Sequence, residues 1–379
     1  MEVEDFIKIR KLLHQHPELS GQEKKTKAYI HQMMLEFWPT ATFELDNHKS
    51  LIASRSDGNS NHHIAIRCEL DALPIEEVNT FEHRSLNTGN SHKCGHDGHM
   101  TILLRLAYLL EQDFPENCRV TLIFQSAEEN GIGAKELLDQ SAFLKSHPLD
   151  FIFALHNVPS YKKGSVVVKN GLFTPSVISV KTKLIGKASH AAEPENGTNP
   201  ALAIAAIIQK TEALKQDFVS AYQQFISTPV YTKLGSESYG TSAGEAAIGY
   251  TFRTTDYQSL MEFKKKYEQS IHTICENEGL KYAIQWFEEF PSVINNIDAT
   301  ELIQQSAQER NYEIIQKDKA FPWGEDFGYF TQTSTGAMFG LGAGENIPNL
   351  HNPDYDFQDE LIEIGSNIFF EIIQKAAKC

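Results

Sequence analysis

Three short apolar runs, each leading straight into ionisable residues and separated by helical stretches, constrain this chain most. Residues 63–71 (HIAIRCELD) close on Asp71, residues 119–125 (RVTLIFQ) stop just before Glu128-Glu129, and residues 151–155 (FIFAL) meet His156. Between them lie a strongly apolar helical segment at 101–110 and a second at 134–143. Apolar strands alternating with helices specify an α/β fold with a mostly parallel sheet covered on both faces. Ligands of such sheets bind beyond the carboxyl ends of the strands. Asp71, Glu128, Glu129 and His156 all stand there, so four ionisable groups point to one place.

Two helices precede this pattern. Residues 5–13 are amphipathic and stop before Pro17; residues 22–37 follow Ser20-Gly21-Gln22-Glu23, which reads as a capping box, and stop before Pro39. From about Thr174 the rhythm changes. Strands at 177–184, 222–234, 246–254 and 280–287 and helices at 200–214 and 258–277 give the order β-α-β-β-α-β, a ferredoxin-like unit. A helix near 299–308, a strand at 337–341 and a helix at 360–377 then restore α/β character. The expected organisation is an α/β domain in two pieces, 1–174 and 291–379, with an α+β domain inserted at 175–290.

Of the 379 residues 41% are apolar and 22% charged, enough to bury a core. Lys and Arg number 34 against 50 Asp and Glu, a net charge of −16. That balance argues against nucleic acid and against anionic membrane surfaces, both of which need a basic footprint. No stretch approaches the roughly 20 apolar residues of a membrane span, and the acidic start Met1-Glu2-Val3-Glu4-Asp5 is not a signal peptide. The five cysteines suit a reducing compartment better than a disulfide framework. The expected location is the cytoplasm.

The chemistry concentrates in Cys94-Gly95-His96-Asp97-Gly98-His99. A thiolate and an imidazole two residues apart, with glycine between them, suit Zn²⁺ and other borderline divalent ions. The positive end of the helix that follows is expected to favour the ionised thiolate. In Glu128-Glu129, neighbouring side chains diverge, so one can bind metal while the other faces substrate. Metal-assisted hydrolysis needs that division between ligand and proton acceptor. Asp71 can orient a ligating histidine through its second nitrogen. His351, in Asn349-Leu350-His351-Asn352-Pro353, carries little weight alone.

Together these segments resemble the M20 metallopeptidase family, in particular its amidohydrolase branch, which cleaves N-acyl and aminoacyl amides. The resemblance runs through RCELDALPIEE, HKCGHDGHM, FQSAEENGIGAKELL, ALHNVP, GKASHAAEP, GEDFGYF and LHNPDYDFQDE, nearly the whole chain. It implies metal ligands at Cys94, His96, Glu129, His156 and His351. Five donors exceed one tetrahedral ion and suit a pair of divalent ions (Zn, Mn, Co or Ni) bridged by the thiolate. The resemblance also implies Glu128 as general base and Asp71 as the carboxylate behind the ligands, with Asp97 and His99 supporting. It makes the inserted domain a lid and a homodimer contact, His190 a lid residue facing the oxyanion, and Arg253 the holder of the substrate carboxylate. The implied substrate is a small N-acyl amino acid or a dipeptide. Where relatives carry a lid asparagine shortly before the arginine, this chain has Tyr239-Gly240-Thr241-Ser242, which bears on substrate choice.

Two rival readings are weaker. Gly240-Thr241-Ser242-Ala243-Gly244 fits the G-x-S-x-G nucleophile elbow, but the elbow needs a helix after it and residues 246–252 read as a strand. A family member without turnover would be expected to lack Glu128 or a ligand, and all are present.

Overall fold

A computed structural model of the chain describes all residues except 45–48, 59, 61 and 223, and only the main chain of 220–222. In chain order it begins with α1 (Val3–Gln15), α2 (Lys24–Phe37), β1 (Thr42–Glu44), β2 (Leu51–Ser56), β3 (His62–Glu69), α3 (His96–Gln112) and β4 (Cys118–Gln125). Then come α4 (Gly133–Gln140), α5 (Ala142–Ser146), β5 (Phe151–Pro159), β6 (Val166–Val168), β7 (Gly171–Thr174), β8 (Ser176–Ile185) and β9 (Ser189–His190). The middle holds α6 (Ala201–Tyr222), β10 (Phe225–Leu234), β11 (Thr241–Ser242), β12 (Glu245–Thr254), α7 (Tyr257–Asn277) and β13 (Lys281–Phe290). The chain ends with β14 (Val293–Asn295), α8 (Ile297–Glu309), β15 (Ile314–Gln316), α9 (Gly328–Thr331), β16 (Thr335–Gly344) and α10 (Leu361–Ala376).

Two units result: residues 1–173, 293–321 and 325–379 form the first, and 174–292 with 322–324 the second. In the first, an eight-stranded sheet has the order β1-β2-β4-β3-β5-β16-β6-β15. Its centre, β4-β3-β5-β16, is parallel, while β2 and β6 join it antiparallel on either side. The central strands are buried on both faces, as their unbroken apolar character requires. Helix α3 is buried on nearly every side and packs with Phe6 and Leu13 of α1 and Phe369 and Ile373 of α10 in one core.

In the second unit the antiparallel sheet β10-β12-β8-β13 carries α6 and α7 on one face. The core between them includes Ile178, Val180, Phe252, Phe263 and Tyr267. Its element order, leaving aside the two-residue strands β9 and β11, is β-α-β-β-α-β. The strand β12 that follows Gly244 removes the nucleophile-elbow reading.

The expected capping box does not form. Helix α2 starts at Lys24, and the Glu18 carboxylate accepts from the Lys25 and Thr26 N–H groups at 2.8 Å. A charged acceptor arriving from outside the helix takes the exposed N–H groups. Ser20 lies ahead of this start, and its hydroxyl donates to Asp71 at 2.7 Å. The helix expected at 134–143 is broken at Ser141, whose hydroxyl accepts from Leu144 N–H at 3.0 Å and begins α5.

A buried ionic network pins the loop before α3. His14 Nδ1 donates to Asp97 at 2.8 Å and Nε2 to Glu77 at 3.1 Å, while Arg10 reaches Asp97, Asp356 and Asp359. Lys93 pairs with Glu77 and donates to the Tyr355 carbonyl at 2.7 Å. Burial works against a charged His14, but Asp97 and Glu77 outweigh it and push the ring up to about 9. Its folded value lies above the unfolded one, so its stabilising contribution is complete below about pH 6.5 and disappears by about pH 9. The difference corresponds to about 3 kcal/mol. Thermal melts of wild type and His14→Gln should therefore diverge at pH 6 and converge towards pH 9.5; parallel curves would remove His14 from this role.

Candidate metal centre

The site is built at the carboxyl ends of the parallel strands, entirely from the first unit. Gly95 makes the approach possible: its φ is 95°, and a Cβ there would sit 2.6 Å from the Asn157 side chain. Helix α3 then starts at His96, so the motif lies partly in its first turn rather than wholly ahead of it. His96 Nδ1 donates to the Asp71 carbonyl at 2.9 Å and lies 3.5 Å from its carboxylate. His156, inside β5, donates from Nδ1 to the Asn157 carbonyl at 2.9 Å. Each ring is thus oriented through Nδ1, which turns Nε2 towards the other donors of the site.

Two backbone positions at this site are strained. Ala127 has φ 55°, its N–H held by Glu23 at 2.7 Å, and it turns the chain after β4 so that Glu128 and Glu129 reach the site. His351 has φ 65°, its N–H held by the Lys93 carbonyl at 2.8 Å. Non-glycine residues adopt this region at a cost, and such residues gather at functional sites.

The donors converge. Sulfur of Cys94 lies 3.4 Å from Nε2 of both His156 and His351. Glu129 lies 3.9 Å from His96 Nε2 through one oxygen and 3.9 Å from His351 Nε2 through the other. Cys94, His96 and His156 form one triad with donor atoms within 4.8 Å of one another; Cys94, Glu129 and His351 form a second. Two triads sharing a thiol are a donor set suited to two divalent ions. His96 Nε2 and Glu129 Oε1 are buried without hydrogen-bond partners, which suits atoms meant to bind a cation.

Electrostatics point the same way. Burial, with Glu129 and Glu128, holds the Cys94 thiol well above its usual value, against the expectation that the helix end would favour the thiolate. Burial is the larger cause, and the neighbouring carboxylates add to it. Burial also raises Glu129, to about 7, and lowers His156, to about 3. For His96, burial is outweighed by Asp71, Glu69 and Glu129, which push it up to about 10. A bound cation would reverse the signs at the thiol and the carboxylate.

Glu128 is buried within 4.8 Å of the donor atoms of His96 and Glu129. On its other side stand Glu325 and Asp326, whose position follows from β3: Arg67 pairs with Glu69, with Glu325 at 3.1 Å and with Asp326 at 2.5 Å. Burial and these carboxylates hold Glu128 well above the ordinary carboxylate range. Asp71 joins the parts, accepting from Ser20 Oγ and, at 2.9 Å, from the Glu129 N–H. His99 is engaged at both nitrogens, by Glu69 at 2.7 Å and Asn157 at 2.5 Å. His190 and Arg253 belong to the second unit, His190 exposed on β9 and Arg253 half-buried on β12. Arg67, Glu69, Asn157, Glu325 and Asp326 were not singled out from sequence; the last two lie in GEDFGYF, a motif to which no task was given.

Residues 65–375 match the model of peptidase family M20/M25/M40. A hydrolase of uncharacterized activity from Staphylococcus haemolyticus is 30% identical, the alignment covering 98% of each chain. An N-acetyl-L-cysteine deacetylase of Bacillus subtilis is 29% identical over 97% of this chain and 86% of its own. Among solved structures, a dinuclear metal binding peptidase of the M20 family from Bacillus subtilis superposes with a TM-score of 0.79 at 25% identity, covering 99% of this chain and 98% of that one.

Proposed function

The chain belongs to peptidase family M20/M25/M40 and has the site of a metal-dependent hydrolase, and from that premise we propose that it cleaves the amide bond of N-acyl amino acids or related aminoacyl conjugates. The observation that carries this is the pair of donor triads sharing Cys94, with a carboxylate beside them that belongs to neither. In the proposed arrangement Cys94, His96, Glu129, His156 and His351 hold two divalent ions, which when bound supply Lewis acidity and lower the pKa of water. Zn, Mn, Co and Ni all suit a thiolate, imidazole and carboxylate set.

Glu128 takes the proton of the attacking water and returns it to the departing nitrogen. Its raised proton affinity suits both halves of that task. Asp71 fixes His96 and the Glu129 main chain, His190 steadies the charge on the carbonyl oxygen, and Arg253 holds the free carboxylate. The second unit serves as lid and dimer contact; its edge strand β10, with Ile226, Val230 and Tyr231 exposed, is suited to pairing with a second copy. No helix among the described residues is long and apolar enough to cross a membrane. All five cysteines are free, which supports a cytoplasmic location.

The test is a panel of N-acetyl, N-benzoyl and indole-acyl amino acids and dipeptides, assayed after chelation and again after adding back each metal. Loss of hydrolysis on chelation and its return on the N-acyl substrates are expected. Activity indifferent to chelation, or confined to dipeptides, would overturn the corresponding part of the reading.

A further inference from the structure

On the sheet face of the second unit that α6 and α7 leave uncovered, two opposite charges stand near each other without closing into a pair. The register of β12 on β8 sets Arg253 opposite Val177 and Thr251 opposite Ser179, so these side chains share one face. It is not the face of Ile178 and Phe252, which pack against the helices. Strand β13 loses its register on β8 between Phe287 and Phe290, and inside that irregularity Glu288 has a φ of 53°. A glutamate adopts this left-handed region at a cost. The turn brings its carboxylate to Ser179, whose hydroxyl donates to Glu288 Oε2 at 2.7 Å and lies 2.9 Å from that of Thr251.

Ser179, which holds the carboxylate, is the diagonal neighbour of Arg253 on the sheet, and diagonal neighbours stand roughly 7–8 Å apart. Arg253 keeps Nη1 buried with no hydrogen-bond partner. Burial weakens its hold on its proton and Glu288 opposes that. A purely structural pair would gain by closing; here the bulge and the serine keep the acid back, leaving the guanidinium open to another anion.

We propose that Glu288 is a specificity-determining residue that sets the charge preference of the Arg253 subsite, admitting neutral or cationic side chains on the released amino acid and disfavouring a second carboxylate. This rests on the reading of Arg253 as the holder of the substrate carboxylate. A fixed negative charge at that range repels a further anion modestly, the attractive element being Arg253 and the repulsive one Glu288.

N-acetyl-glutamate and N-acetyl-glutamine, nearly identical in shape, separate the two charges. Their competitive inhibition constants are measured against the best substrate of the panel in the metal-loaded enzyme. Wild type should bind the glutamine compound more tightly by about three- to tenfold, and Glu288→Gln should bring the ratio close to one by strengthening the glutamate compound. Glu288→Asn, compatible with a left-handed backbone, repeats the test if the glutamine variant folds poorly. Arg253→Ala should weaken both compounds alike. An unchanged ratio in the Glu288 variants, with both compounds weakened in Arg253→Ala, overturns the role of Glu288 alone. Unchanged binding of both compounds in Arg253→Ala overturns the Arg253 reading and this proposal with it.

Discussion

Replacing Glu128 with alanine lowers kcat by roughly 10²- to 10⁴-fold, the usual worth of a positioned proton acceptor, and leaves the metal content of the protein unchanged. The two halves of this expectation come from one arrangement. Glu129 and its neighbours account for both donor triads without Glu128, so removing Glu128 does not dismantle them. Yet Glu128 lies beside Glu129 and His96, and burial, with Glu325, Glu129 and Asp326, keeps its proton affinity high. A carboxylate so placed accepts a proton more readily than one in water, which suits a group that takes a proton and later returns it. Single-turnover kinetics on metal-loaded protein, with elemental analysis of the same sample, checks both halves. Near-normal turnover would remove Glu128 as the base, and loss of metal would make it a ligand instead.

Much of this site was legible because the sequence pattern and the fold share a cause. Strands β3, β4 and β5 are apolar throughout since both sheet faces are covered, and that continuity exposes the ionisable residues just past their ends. Asp71, Glu128, Glu129 and His156 were read as candidates that way. His351, in a polar loop whose left-handed φ leaves no trace in residue type, was named only through the family resemblance. Strand β2, only six residues long, was missed because nothing in LIASRS marks it off from its surroundings. Ser20 shows a different limit. Its sequence context is that of a cap, but the helix begins only at Lys24, where Glu18 accepts from the first N–H groups, and a distant carboxylate, Asp71, claims the hydroxyl. The Glu325-Asp326 pair depends on Arg67, more than 250 positions earlier, a contact no local pattern can show.

Cys94→Ser has the second large consequence. The thiol is the one donor common to both triads, 3.4 Å from each of His156 and His351. A serine hydroxyl is far less acidic than a thiol and a poor substitute for a soft, charged sulfur. Loss of a mere outer-shell partner typically costs about 10- to 100-fold in metal affinity, and loss of a shared donor should exceed that. The fold should persist, because the walls around Cys94 are fixed by the Arg10–His14–Asp97 network and by Asn157 rather than by the sulfur. Titration against a competing chelator, alongside circular dichroism to confirm the fold, measures the effect.

The count of divalent ions retained per chain bears most directly on the whole account. Protein reconstituted with Zn²⁺ or Mn²⁺, freed of excess by gel filtration and assayed by elemental analysis, should carry two ions per wild-type chain and markedly fewer after Cys94→Ser. A wild-type chain that retains none, or a serine variant that keeps both, would contradict it.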